Sequence, residues 1–410
     1  MRITTSIENP FSTLKFERKI IKNKKDKFFE ILLYLFCFFP FVKWIKMLYF
    51  GNDTQPYAMV LAFFIIVFYI GEEMNVGRKE KGLILLSFLM GGLALMSIPE
   101  KGIGGVMSPF ATYLSLAIIP LATFWLCKRC KGVNESLVKT FIWIWFLAGT
   151  IQMTVDKNFG MTILARATTN SERGVVSLGT EPSAYGYMCL FMLLLALDFK
   201  RFSKAYVLLL LIQIIAMAGS SVTMIYLAVY VVGIAINDIL QHKKFAVFRV
   251  LALVGGGFGA LYIVYIKNML PTRMQELAGY LITGNWMMIW KDASIQQRIS
   301  AIEDAVASFV NFYGIPQGFT GSRVMSGVGI LLIECGGLAF VYLGVIGKII
   351  WDAYPKEIRF VMVFGFMITM ISAIPFSSPM VCFYIGYCLY KGWMRKNGDR
   401  VNKIENTLDL

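Results

Sequence analysis

The sequence predicts an all-α, polytopic membrane protein with about twelve membrane-crossing helices and both chain ends in the cytoplasm. Three observations predict it. Of 410 residues, 57% are hydrophobic and 16% charged, with a mean hydropathy of +0.64; a water-soluble domain carries a charged fraction nearer about a quarter. The apolar residues fall into runs that suit the hydrocarbon layer, which is about 30 Å thick and takes roughly 20 helical residues to cross. The basic residues divide unequally between alternating loops. The side holding the N-terminus collects 29 of the 40 Lys and Arg, which is the bias of cytoplasmic loops.

Taken in order, residues 1–27 form a basic polar tail, too long and too charged for an ordinary cleaved leader. The first apolar run, 28–48, is therefore expected as a retained span. Further spans are expected at 57–71, 82–98, 109–127, 138–154 and 182–198. The run from Ala205 to Ile236 is too long for one helix, and Ala218-Gly219-Ser220-Ser221 divides it into 205–218 and 220–236. Spans at 249–267, 327–347, 359–375 and 378–394 complete the set, with Pro375-Phe376-Ser377-Ser378-Pro379 separating the last two. All belong to one transmembrane domain covering 1–410. A cytoplasmic tail runs from 395 to 410, and two long loops, 155–181 and 267–326, face outward.

Several function classes fall away. A net charge of +15 would raise nucleic acid as a partner in a soluble protein, but here the basic residues sit in short loops between apolar runs. Most of the seven cysteines lie inside those runs. Cys127-x-x-Cys130 stands without a second pair or a nearby histidine, so no zinc site or disulfide framework is expected. Gly255-Gly256-Gly257 with Gly259 imitates a phosphate loop, but lies in an apolar span where small residues allow close packing. The one histidine, His242, falls in a cytoplasmic loop beside Lys243 and Lys244. The outer loops hold no Asp-x-Asp and no metal-ligand spacing, and the chain has no nucleotide-binding pattern. Neither a metal nor another cofactor is expected.

The chemistry-bearing residues gather in the two long outer loops. Outward loops are normally poor in arginine, yet these hold Arg166, Arg173, Arg273, Arg298 and Arg323, with Lys157, Lys267 and Lys291. Arginine suits phosphate because its planar fork donates paired hydrogen bonds and stays charged. The same arginines could instead pair with Asp156, Glu172, Glu276, Asp292, Glu303 and Asp304 on a wet surface. Glu181 precedes Pro182, which suits a first helical turn, so a span is expected to open there with its N-terminus outward. Free N–H groups and the positive helix end favour an anion at that point. Glu181 is either a cap serving that dipole or a general base at the membrane face. Glu334 lies within a span, where a carboxylate costs about 2.5–3.5 kcal/mol; it is expected to face a polar cavity or an arginine.

In these pieces the chain resembles the O-antigen polymerases of the Wzy family, relatives of the O-antigen ligases. The resemblance rests on the Arg173…Glu181-Pro182-Ser183 segment opening a span, and on the split pair around Gly219-Ser220-Ser221. It rests further on Gln297-Arg298 in a long outer loop, Gly314…Gly318 and Glu334-Cys335-Gly336-Gly337. What it implies is glycosyl transfer at the outer face of a bacterial inner membrane, in lipopolysaccharide biosynthesis. A growing glycan on undecaprenyl diphosphate would pass to a sugar hydroxyl of one lipid-linked repeat unit. Partners would be undecaprenyl-diphosphate-linked oligosaccharides, membrane lipids and a chain-length regulator protein, with no nucleic acid. Arg166, Arg173, Arg273, Arg298 and Arg323 would supply the diphosphate clamp, Arg298 and Arg173 foremost. Glu181 would take the acceptor proton or orient an arginine, Tyr185 would line the sugar or lipid entrance, and Glu334 would bind substrate. Ligases of this kind carry a functional outer-loop histidine, which this chain lacks. The competing reading is a transporter such as a lipid-linked oligosaccharide flippase, which would place charges inside the spans.

Overall fold

The computed structural model describes residues 24–44, 55–69, 77–164, 174–241, 272–318, 326–371 and 374–408, with isolated positions between 247 and 266. Among the described residues the chain is helical with no strand, and an isolated antiparallel bridge joins Val42 to Leu164. The helices are α1 (Lys24–Phe38), α2 (Tyr57–Tyr69), α3 (Arg78–Leu95), α4 (Ile98–Cys130) and α5 (Glu135–Thr154). Next come α6 (Pro182–Ala196), α7 (Ser203–Ala218, its last turns of the wider π type) and α8 (Ser221–Leu240). Then follow α9 (Thr272–Ile282), α10 (Trp286–Trp290), α11 (Ala293–Asn311), α12 (Gly327–Cys335), α13 (Leu338–Ala353), α14 (Arg359–Thr369) and α15 (Pro379–Leu408).

Helices α4, α5 and α8 are long and apolar enough to cross a membrane, and α2, α6, α7 and α14 are shorter apolar helices. Packing sorts them by composition. Helix α6 is apolar on every side and every residue from Ala184 to Ala196 is buried, as expected of a helix without a polar face. It packs against α5, α7, α8 and α15, while α4 packs against α1, α2, α3 and α15. The peripheral helices turn large apolar side chains outward: Phe63, Phe64, Val67 and Phe68 on α2, Leu85 and Phe88 on α3, Val232 and Ile236 on α8. Soluble monomers rarely expose apolar patches beyond a few hundred Å²; hydrocarbon is the solvent that accepts such a surface. The seven cysteines are thiols, all buried.

Caps mark several helix starts. Asn134 accepts from the Leu137 N–H at 3.3 Å to open α5, and Ser326 from the Gly329 N–H at 3.0 Å to open α12. Each side chain satisfies a donor that has no partner within the helix.

Each expected span coincides with a helix or a pair of helices, except 249–267, which falls largely outside the described residues. The bounds differ in instructive ways. The span expected at 28–48 stops as a helix at Phe38, because Pro40 has no N–H to continue it. Beyond it the Lys43 N–H donates to Ile163 O at 2.8 Å and the Gln55 N–H to Pro40 O at 3.0 Å. The span expected at 109–127 begins earlier, at Ile98, with a kink at Gly102. The span at 327–347 is two helices broken at Gly336. The loop expected at 267–326 contains α9, α10 and α11, and α15 continues through the expected tail as far as Leu408.

Candidate functional site

Two polar loci lie where the segments assigned outward come together. The first is built around the start of α6. Residues 174–181 pack against the turn between α7 and α8 at Gly219: the Val175 N–H donates to Met217 O at 2.9 Å. A Cβ on Gly174 would stand 2.1 Å from Ala218 O, so only glycine permits this approach. Gln152 holds the same segment from α5, accepting from the Ser177 N–H at 2.6 Å and donating to Ser177 O at 2.8 Å. Ser177 Oγ in turn donates to Trp145 O at 2.6 Å. The segment expected to carry chemistry is therefore a buried, hydrogen-bonded platform.

Glu181 occupies the cap position of α6 in an extended conformation, but its carboxylate accepts no bond from the helix N–H groups. It accepts instead from Ser183 Oγ. Tyr185 is placed differently from the expectation of an entrance residue. It is fully buried, stacks on Trp145 with ring centres 5.5 Å apart, and donates to Gln213 at 2.9 Å. It ties α5, α6 and α7 together and presents nothing to a surface.

Arg298 comes from α11, the helix hidden in the second long loop. Ile295, Ala301 and Ala305 are buried, and Arg298 shares their stripe at spacings of three and four residues. Its side chain is half-buried on that stripe. Its guanidinium lies within electrostatic reach of the Tyr226 hydroxyl on α8. Tyr226 packs on Tyr187 of α6, ring centres 5.9 Å apart. Arg298 is thus brought to the helix pair whose first member Glu181 opens.

The second locus surrounds Glu334, in the last turn of α12 and nearly buried. Tyr113 of α4 donates to its carboxylate, and Lys101 lies within electrostatic reach. A small opening of about 40 Å³ beside this pair is lined by Thr112, Pro375 and Ser377. Thr112 and Ser377 also line a neighbouring cavity of about 490 Å³, which adds Gln55, Gly104 and Ser108 among apolar residues such as Met59 and Met107. Apolar walls with a few convergent polar groups suit an amphipathic ligand. Helix α11 packs directly on α12, so the Arg298 helix joins the two loci.

Of the other candidates, Arg166, Arg173 and Arg323 lie outside the described residues, as do His242 and two of the clustered glycines, Gly256 and Gly257. Arg273 belongs to α9, and its side chain lies outside them as well. Sequence reasoning missed Tyr113, Lys101, Tyr187 and Tyr226. Tyr113 stands 221 positions from Glu334, a pairing that no local spacing signals. Compared with known proteins, the chain matches no family model, no curated protein and no solved structure.

The Glu334–Tyr113 pair carries a stability prediction. Tyr113→Phe leaves a buried carboxyl without its donor, a loss of about 1–3 kcal/mol. Thermal unfolding in detergent should show it, and replacing both partners by apolar residues (Tyr113→Phe with Glu334→Leu) should restore most of it. A double variant as unstable as the single one would mean that the hydrogen bond is not what Tyr113 contributes.

Proposed function

We propose that this chain is a bacterial inner-membrane protein of about twelve spans, with both ends cytoplasmic, that polymerises polysaccharide repeat units at the outer face. The observation that carries the reading is Arg298: a guanidinium on the inward stripe of α11, within electrostatic reach of Tyr226 on the helix that packs against the one Glu181 opens. A soluble-surface arginine would have no reason to lie on that stripe.

In the proposed reaction, a sugar hydroxyl of the incoming repeat unit attacks the anomeric carbon of the glycan held on undecaprenyl diphosphate. The new C–O bond forms as the bond to the diphosphate oxygen breaks, and the lipid diphosphate leaves with the electron pair. Glu181 takes the hydroxyl proton. Its carboxylate is held by Ser183 and not spent on helix N–H groups, which supports the role of base over that of cap. Arg298, with Arg173 and the other outer arginines, neutralises charge building on the leaving diphosphate, where a preorganised cation is most effective. The cavity of about 490 Å³ beside Glu334 is suited to the amphipathic junction between sugar and polyprenyl chain. Energy comes from the sugar–diphosphate bond, so no nucleotide sugar takes part.

The experiment is the surface glycan profile of a deletion strain complemented with wild type, Arg298→Ala or Glu181→Gln. The reading expects a long ladder with wild type and chains of one repeat unit with either variant. Long chains accumulating on undecaprenyl diphosphate would identify a ligase instead. Single units trapped on the cytoplasmic side would identify a flippase, and the arginine argument would fall with it.

A further inference from the structure

On the face opposite these loci, a cleft of about 740 Å³ is enclosed by the start of α3, the end of α13, the first residue of α14 and the middle of α15. Six cations line it, Arg78, Lys79, Lys348, Arg359, Arg395 and Lys396, against two carboxylates, Glu80 and Asp352. Asp352 is already matched, by Lys79 at 2.6 Å and Lys348 at 2.9 Å. Burial pushes its carboxyl up, but the two lysines outweigh burial and hold it below the usual carboxylate range. Arg395 donates to Tyr354 O. The excess positive charge remains.

Arg359 is the most informative of the six. Its Nε is buried and has no hydrogen-bond partner among the described residues, while its guanidinium lies 5.0 Å from the centre of the Trp351 ring. A buried charged donor is costly until something accepts from it. The bias that places basic residues on this side accounts for their number. It accounts neither for their convergence on one cavity nor for the open donor of Arg359. The cleft is also amphipathic: Leu389 and Trp393 line it together with the cations, and a tryptophan beside cations is typical of the headgroup level.

We propose that this cleft binds an anionic phospholipid by its phosphate headgroup, the acyl chains running down the apolar wall beside Leu389. A basic pocket between helices on the cytoplasmic side is a recognised setting for such headgroups, and the apolar wall favours a lipid over a free phosphate. The site is separate from the proposed glycosyl-transfer site and does not depend on it.

The test uses full-length protein in phosphatidylcholine nanodiscs, titrated with cardiolipin and, separately, with pyrophosphate. Wild type is expected to bind cardiolipin, and Arg359→Ala with Lys396→Ala to bind it about thirtyfold more weakly. Lys356→Ala, which removes an exposed cation outside the cleft, is expected to bind as wild type does. An unchanged thermal midpoint in pure phosphatidylcholine shows that each variant is folded; where the double variant fails this check, Lys396→Ala alone is used and should still weaken binding. Equal loss in the Lys356 variant would reduce the effect to general surface charge and overturn the site. Pyrophosphate binding as tightly as cardiolipin would overturn the lipid assignment.

Discussion

Replacing Arg298 by lysine is expected to lower glycan polymerisation by about a hundredfold or more, with protein at normal levels in the membrane. The charge survives in that variant, so the loss measures the fork. A guanidinium donates two parallel hydrogen bonds to a phosphate, and an ammonium supplies a point charge. The position makes the difference larger. Arg298 lies on the stripe of Ile295, Ala301 and Ala305 and is itself half-buried, so its charge is screened less than on an open surface. Arg129 serves as the control. It pairs with Asp26 at 3.2 Å and lies over the Tyr69 ring, remote in the chain from every outer segment, and Arg129→Lys should leave chain length unchanged. The measurement is glycan length by gel alongside membrane protein level by immunoblot. Full-length glycan from Arg298→Lys would remove Arg298 from the diphosphate clamp.

The largest effect on stability is expected at Gly336. This residue breaks α12 from α13 with φ 52° and ψ −132°, a region closed to side chains without strain of about 1–3 kcal/mol. A Cβ there would lie 2.3 Å from Gly314 O and 2.7 Å from Pro316 N. Both are backbone atoms, and the Gly337 N–H already holds Gly314 O at 2.9 Å, so neither can move aside cheaply. Overpacking adds about 1–3 kcal/mol, giving a total of about 2–6 kcal/mol for Gly336→Ala. The break also sets where Glu334 stands, so any Gly336→Ala protein that folds should lose the Tyr113 contact too. Gly344→Ala, in the middle of α13 with nothing near its added methyl, should be neutral or slightly stabilising. Thermal midpoints in detergent compare the two; similar midpoints would mean that the turn at Gly336 is not rigid.

Much of the helical layout was legible in the sequence because apolar runs separated by charged loops leave few alternatives in hydrocarbon. The turn at Gly219 was legible for the same reason: the run was too long for one helix and held one glycine-serine interruption. The breaks at Pro40 and Gly336 were not, since hydropathy averaged over a span does not register non-helical backbone buried against protein. Helix α11 was hidden because its charges, Arg298, Glu303 and Asp304, break up any apolar run, although Ile295, Arg298, Ala301 and Ala305 already showed helical spacing. That arginine belonged to the inward stripe could have been read from it; that it comes within electrostatic reach of Tyr226 could not. Glu334 was expected to face a polar cavity or an arginine; its hydrogen-bond partner is instead Tyr113, from a helix more than half the chain away. Tyr185 was misjudged because α6 is buried on every side from Ala184 onward, so a residue one turn beyond Glu181 already stands in the core.

The most direct test of the central claim is reconstitution of purified protein in liposomes with a synthetic undecaprenyl-diphosphate-linked repeat unit, followed by gel analysis of the glycan. The account predicts a ladder of lengthening chains, one lipid diphosphate released for each bond formed, and no nucleotide sugar required. Repeat units that cross the bilayer unchanged in length, with no lipid diphosphate released, would contradict it.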